Sequence, residues 1–257
     1  MSHQELIIDQ FTKQSVPFSE MRGFSHEESL RLILAAARVT GSDKALDVAC
    51  GPGLVAFAFA EVAEHVSAID VTPAMIERAR ALQAPRSLSN IAWHVGDVTQ
   101  LPFKDAEFSV VCCRYAFHHF QNPRLVATEM LRVCAPGGRI VMVDVFTRFD
   151  TADEYNALEK LRDPSHVRAL DLKELIGLAV DAGLTNIQTQ FYRMEIELET
   201  LMRGSFPNPG DDKKARALLA NDGGKERLGV RVLPLEPVRF RLMRSQFRLL
   251  PPSQKAN

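Results

Sequence analysis

The chain has 257 residues, 46% of them hydrophobic, which is enough for one α/β domain with a full core and small additions. A net charge of −1 excludes a global electrostatic pull towards nucleic acid or a membrane surface, and no apolar run approaches the ~20 residues of a membrane span. Met1 to Gln14 is too polar for a signal peptide, and Cys50, Cys112, Cys113 and Cys134 lack paired metal-ligand spacing. A cytoplasmic protein without a metal site is therefore expected, as a monomer or homodimer.

Residues 1–24 read as an irregular leader in which Phe11, Val16, Phe18 and Phe24 stand among polar residues. Ser25, with Glu28 three positions on, predicts a capping box for a helix whose apolar face is Leu30, Ile33, Leu34 and Ala37, ended by Gly41. A buried strand from about Lys44 to Ala49 leads through Gly51-Pro52-Gly53 into an apolar helix from Leu54. Val66 to Asp70 is a second strand, and Thr72-Pro73 starts a helix through Leu82. Further strands are expected at Ile91 to Val95, Phe108 to Arg114 and Arg139 to Phe146, the last entered through a Pro136-Gly137-Gly138 turn. Asn122-Pro123 caps a helix to Cys134, Asp171 with Glu174 caps another that closes at Gly183, and Ile187 to Ile196 is a strand. This alternation means βαβ units and a mostly parallel sheet, with ligands beyond the carboxyl ends of its strands.

The last segment differs: from Leu201 onward there are twelve Lys or Arg against five Asp or Glu. Val238, Phe240 and Leu242 alternate with Arg239 and Arg241, which predicts a half-buried strand returning antiparallel beside 187–196. The organisation expected is an N-terminal lid and helix over 1–40, a binding core over 41–196, and a cap insertion plus final strand over 197–257.

The stretch that organises the chain is Asp47-Val48-Ala49-Cys50-Gly51-Pro52-Gly53. A strand, a glycine turn and a helix make a nucleotide-type binding corner, since glycine lets the chain turn sharply and a ligand approach closely. Asp47, inside the strand, would crowd a pyrophosphate and suits a cationic, amine-bearing ligand instead. Asp70, 17 residues after Gly53 at the end of the second strand, is placed to accept ribose hydroxyls. Gly96-Asp97-Val98 ends the third strand and runs on into Leu101-Pro102-Phe103.

The pattern D-x-x-x-G-x-G and the order of these motifs over residues 42–146 resemble class I S-adenosylmethionine (SAM) methyltransferases, in particular the branch similar to ubiquinone/menaquinone C-methyltransferases with a type 11 domain. The runs Cys113 to Phe120 and Leu161 to Arg168 look like signatures of a bacterial subgroup of that branch, and the resemblance fades after about Ile196. It implies an α/β Rossmann-like sheet of seven mostly parallel strands, flanked by helices and completed by the lid and cap. It implies SAM as cofactor, S-adenosylhomocysteine as product, and Asp47, Ala49, Gly51, Gly53, Asp70, Val71, Met75, Gly96, Asp97, Val98 and Arg114 around the cofactor. Asp47 would face the amino-acid end, Asp97 the adenine amino group, and Val98 and Met75 the adenine faces.

Methyl transfer is an in-line displacement, so the protein supplies proximity, alignment and, where needed, a base. Arg114, Tyr115, His118 and His119 follow the fourth strand and are the catalytic candidates, a histidine being the natural base near neutrality. Phe18, Arg162 and His166 are candidates for substrate contact, with a structural salt-bridged loop as the competing reading for the last two. The partner expected is a small-molecule methyl acceptor with an O, N or C nucleophile, quinone-like or a secondary metabolite, and no nucleic acid. Two other classes stay open: a SAM-binding protein that rearranges SAM or only senses it, and a nucleic-acid methyltransferase, for which no base-flipping motif is present. A nicotinamide oxidoreductase is disfavoured by Asp47.

Overall fold

The computed structural model describes residues 1–20, 27–222, 225–233 and 239–250. Five parallel strands form its centre: β1 (Lys44–Val48), β2 (His65–Asp70), β3 (Ile91–Val95), β4 (Phe108–Arg114) and β5 (Cys134–Val145), in the order β3-β2-β1-β4-β5. Antiparallel strands extend the sheet beyond β5, so that it holds eight strands among the described residues where seven were expected. β8 (Arg239–Leu250) pairs with β5, β6 (Thr185–Glu197) lies beyond it, and the short β7 (Arg231–Leu233) also pairs with β8. The returning strand is thus present. Val238 lies outside the described residues, as do the side chains of Phe240 and Leu242, on which the expected alternation rests.

β1 and β4 are buried on both faces, which is why they read as continuous apolar runs. Ala45, Val110, Cys112, Val141 and Val143 pack on one face; Leu46, Val48, Val111, Cys113 and Met142 pack on the other. α3 (Leu54–Ala60) and α4 (Pro73–Gln83) connect the first strands, α5 (Pro123–Val133) joins β4 to β5, and α6 (Ala152–Arg162) and α7 (Leu172–Asp181) precede β6. Two expected side-chain caps form, since Asn122 accepts from Leu125 N–H and Asp171 with Glu174 makes the capping box; Thr72 precedes α4 without a side-chain cap bond, and that helix starts on Pro73. All four cysteines are free and buried.

Three expectations need correction or fall out of view. The expected irregular leader is a helix over its described part, because α1 spans His3–Glu20. Its inward face carries Ile7, Phe11, Gln14 and Phe18, a helical 4-3-4 spacing, but buried Gln10, Gln14 and Ser15 dilute the apolar signal. Pro136-Gly137-Gly138 lies within β5 as an irregularity of register, not before it, since the strand starts at Cys134. Gly138 is required there: a Cβ would stand 2.7 Å from Cys134 Sγ and 2.8 Å from the Ala135 carbonyl. The Ser25 cap lies outside the described residues, and α2 is described over Glu27–Ala37.

Between β6 and β8 the chain forms α8 (Leu198–Arg203) and α9 (Asp211–Asp222), the latter packed on α6 and tied to α8 by the Arg216–Glu199 ion pair. Among the described residues no helix is long and apolar enough to cross a membrane.

Candidate active site

A cavity of about 380 Å³ opens beyond the carboxyl ends of β1, β2 and β4, where the strand order reverses between β1 and β4. α1 forms one wall. At one end is the glycine turn; at the other is a cluster of histidines and carboxylates from four separate elements.

Ala49, Gly51 and Gly53 all adopt positive φ, at 53°, 52° and 86°. Ala49 holds this conformation despite its Cβ, at a cost of about 1 kcal/mol. The two glycines do different work. A Cβ on Gly51 would meet nothing within 4 Å, so its open side faces the cavity. A Cβ on Gly53 would sit 2.4 Å from the Trp93 ring, so Gly53 lets α3 pack on β3 and does not line the cavity. Gly96 is likewise set against Ile69, 3.1 Å from where its Cβ would be.

Two carboxylates are braced around this turn. Asp70 Oδ2 accepts from Gly51 N–H and Oδ1 from Thr72 N–H, both at 2.8 Å. Each oxygen retains a lone pair for a further donor. Asp47 Oδ2 accepts from Ala56 N–H at 3.0 Å, inside the first turn of α3. Burial pushes the Asp47 carboxyl up to about 7 against the opposing Ala56 bond and Arg114, with Asp70 adding repulsion. Burial also raises Asp70. Two buried carboxylates facing one cavity call for a cation and hydrogen-bond donors in it. Val71, buried Met75 and Val98, and Asp97 complete this end, with Asp97 Oδ1 accepting from both Thr99 N–H and Oγ1–H at 2.8 Å.

After β4 the chain turns through Tyr115 at φ 57°, a strained value for an aromatic residue. Its hydroxyl bonds that of Tyr192, and the Arg114 guanidinium lies 4.2 Å over its ring while donating to Ser29 Oγ at 3.1 Å. A short turn of 3-10 helix, Phe117–His119, then presents the histidines. His118 Nδ1 is 2.5 Å from Asp144 Oδ1, and its backbone N–H reaches Asp144 Oδ2 at 3.2 Å. A carboxylate only accepts, so Nδ1 carries a proton, and the neutral tautomer compatible with this contact has its lone pair on Nε2. With Nδ1 held from behind, Nε2 is the nitrogen left to serve the cavity that His118 lines.

His119 is held differently. Its Nδ1 meets the Ser165 carbonyl at 3.1 Å, and its own carbonyl accepts from His3 Nε2 at 2.8 Å. Burial, reinforced by His118, pushes it down to about 4. Asp163 accepts from Ser165 N–H, Ser165 Oγ–H and, across to α1, Gln14 Nε2–H at 3.1 Å. Burial alone would raise its carboxyl, but His119, Arg162 and these donors hold it below the usual carboxylate range. Arg162 clasps both oxygens of Glu159 and donates to Ser205 Oγ at 3.0 Å.

Of the residues singled out in the sequence, Arg114, Tyr115, His118, His119, Phe18 and Arg162 all line the cavity. His166 stands one layer behind, its ring 5.5 Å from that of His118. Asn156 gives both amide hydrogens to the carbonyls of Ala152 and Ala169, so its oxygen accepts from His166 Nε2–H at 2.7 Å. Burial pushes His166 down to about 3. Among the described residues no group of three or more His, Cys, Asp or Glu could hold a metal ion. Asp144, Glu159, Gln14 and Asn156 were not singled out. For Asp144 the signal was available: an acid inside an apolar parallel strand, the same feature that marked Asp47.

Residues 46–142 match the model of a family described as a methyltransferase domain. The chain is 31% identical to the uncharacterized methyltransferase YcgJ of Bacillus subtilis over 200 residues, covering 77% of this chain and 79% of that one. The crystal structure of YcgJ aligns with a TM-score of 0.80 at 27% identity, over 88% of this chain and 99% of the other. A demethylmenaquinone methyltransferase of Deinococcus radiodurans is 35% identical over 116 residues, 44% of this chain and 48% of that protein.

Proposed function

The chain belongs to the class I SAM-dependent methyltransferases, and from that premise we propose that it moves the methyl group of SAM to a small-molecule acceptor. The observation that carries this reading is one continuous cavity that runs from Gly51 and Asp70 to His118. The glycine end fits the cofactor on its own chemistry. Asp47, whose buried carboxyl is held near neutrality, gains from a neighbouring ammonium group, and Asp70 has lone pairs free for two ribose hydroxyls. Asp97 would take the adenine amino group between Met75 and Val98, with Ala49, Gly51 and Val71 as the floor. Bound SAM supplies a methyl group already activated for transfer.

The chain's own residues then do the rest. His118 Nε2 takes a proton from the acceptor, while Asp144 fixes the tautomer and stabilises the imidazolium that results. His119, held neutral, is an anchor and not a second base. Arg114 and Tyr115 shape the passage between the two ends, and Phe11 and Phe18 on α1 close it against water. Residues 1–40 act as lid, 41–196 as binding core and 197–257 as cap and final strand. The relation to a demethylmenaquinone methyltransferase makes a quinone-like ring one acceptor class to test.

Incubation with isotopically labelled SAM and a metabolite extract, followed by mass spectrometry, tests the proposal. S-adenosylhomocysteine together with a labelled product supports it. Methylthioadenosine, or unchanged SAM despite binding, assigns the chain to SAM rearrangement or sensing instead.

A further inference from the structure

Building on that reading of the cavity, we infer that its far end selects an uncharged, ring-bearing acceptor that reacts through a hydroxyl group, and that Glu159 is the residue that turns anionic acceptors away. The inference starts from the cations. Arg162 lines the cavity, yet its guanidinium is spent on both oxygens of Glu159 and on Ser205. Arg114 is committed to Ser29, to the Tyr115 ring and to the field of Asp47. His3 gives its Nε2 to a backbone carbonyl. An incoming carboxylate or phosphate would lose its water beside the ionised Glu159 and Asp163 and find, among the described residues that line the cavity, no uncommitted arginine or lysine in return, which is strongly unfavourable.

What the cavity does offer is a lone pair and an apolar wall. His118, its Nδ1 held by Asp144, can turn the Nε2 lone pair of its neutral tautomer to a proton donor, and burial pushes the His119 ring next to it, centroids 4.3 Å apart, down to about 4. Ile7, Phe11, Phe18, Tyr155 and Leu201 line the same space and suit a flat ring. In the reaction the O–H bond breaks and its proton goes to His118 Nε2. The oxygen forms a bond to the methyl carbon, and the carbon–sulfur bond breaks with its electron pair left on sulfur, giving S-adenosylhomocysteine. His118 then returns the proton to solvent.

The test uses 2-naphthol and 2-naphthoate, alike in ring and different in charge, on the full chain saturated with S-adenosylhomocysteine. Calorimetry of S-adenosylhomocysteine comes first, and failure there strikes the cofactor reading alone. NMR titration should then show 2-naphthol binding about tenfold or more tighter than 2-naphthoate and shifting the His118 ring signals. Glu159→Gln, by freeing Arg162, should narrow that gap by admitting 2-naphthoate. Equal or tighter binding of 2-naphthoate to the unmodified chain overturns the inference, as does the absence of 2-naphthol binding or binding that leaves His118 unmoved. The comparison on the unmodified chain decides the matter even where Glu159→Gln fails to fold.

Discussion

The two ends of the cavity are built on different plans. At the glycine end, side-chain carboxylates are held by backbone N–H groups of the turn they adjoin: Asp70 by Gly51 and Thr72, Asp47 by Ala56. At the histidine end, side chains hold one another across the chain, as Asp144 holds His118 and Gln14 reaches Asp163 over 149 positions. The electrostatics are opposed as well. Burial lifts the carboxyls of the first end and depresses His119 and His166 at the second, where Arg162 and neighbouring donors hold Glu159 and Asp163 ionised. The difference shows that a turn can hold its own acids locally, whereas the histidine end exists only once β5, α1 and α6 have packed together.

The comparison breaks most completely on removing α1. Deletion of residues 1–20 takes away Phe11, Phe18 and the Gln14–Asp163 bond, and should abolish turnover while only weakening SAM binding. Full activity of the truncated chain would show that the lid does nothing. Next in size is the base. His118→Ala should lower kcat by ~10²–10⁴ with SAM affinity nearly intact, and Asp144→Asn should act in the same direction and move the pH profile. Loss in His119→Ala but not in His118→Ala would exchange their roles.

Thermal midpoints across pH sharpen the electrostatic contrast. The Asp47 carboxyl, raised to about 7, costs stability progressively as pH rises from the unfolded value near 4 to about 7, on the order of 4 kcal/mol in full. His119, lowered to about 4, contributes stability that is complete above the ordinary histidine range and is lost as pH falls through about 6 to 4, on the order of 3 kcal/mol. The two slopes oppose each other between pH 4 and 6.5. Asp47→Asn should therefore leave a chain that gains stability more steeply as pH rises over that interval, and His119→Gln one whose gain is blunted. Identical profiles in both variants would refute the assignment.

Smaller effects probe the turn itself. Asp70→Ala should weaken SAM binding by about 1.5–3 kcal/mol in calorimetry, the scale of hydrogen bonds to a charged group. Ala49→Gly removes the Cβ from a left-handed position and should change stability by no more than about 1 kcal/mol, in the stabilising direction. A clear loss of stability there would mean that the methyl group packs where the strain argument says it only obstructs.

Much of the first end was legible because its information is local. The acid in β1, the glycines four and six residues on and the acid closing β2 lie within 24 positions, and the strand-turn-helix geometry alone brings them together. The same locality made the Asn122 and Asp171 caps readable. α1 was not readable, because a helix that covers a polar site carries buried glutamines where a core helix carries leucines. Gly53 reads as a ligand glycine in the motif, and only Trp93, forty residues away, reveals it as a packing glycine.

By itself, then, the sequence determined the alternating strands and helices, the parallel sheet with its ligand edge, the methyltransferase family and the polar stretch after β4. The tertiary structure distinguished the two histidines of that stretch. His118 and His119 are neighbours of the same type on one short turn, and nothing local separates them. Asp144 arrives from β5 to hold one through its Nδ1–H, while Ser165 and His3 arrive from elsewhere to fix the other. Hydrogen bonds at 2.5–3.1 Å are contacts between surfaces that only the folded chain brings into register, so the choice between two equivalent rings belongs to the packing and not to the order of residues.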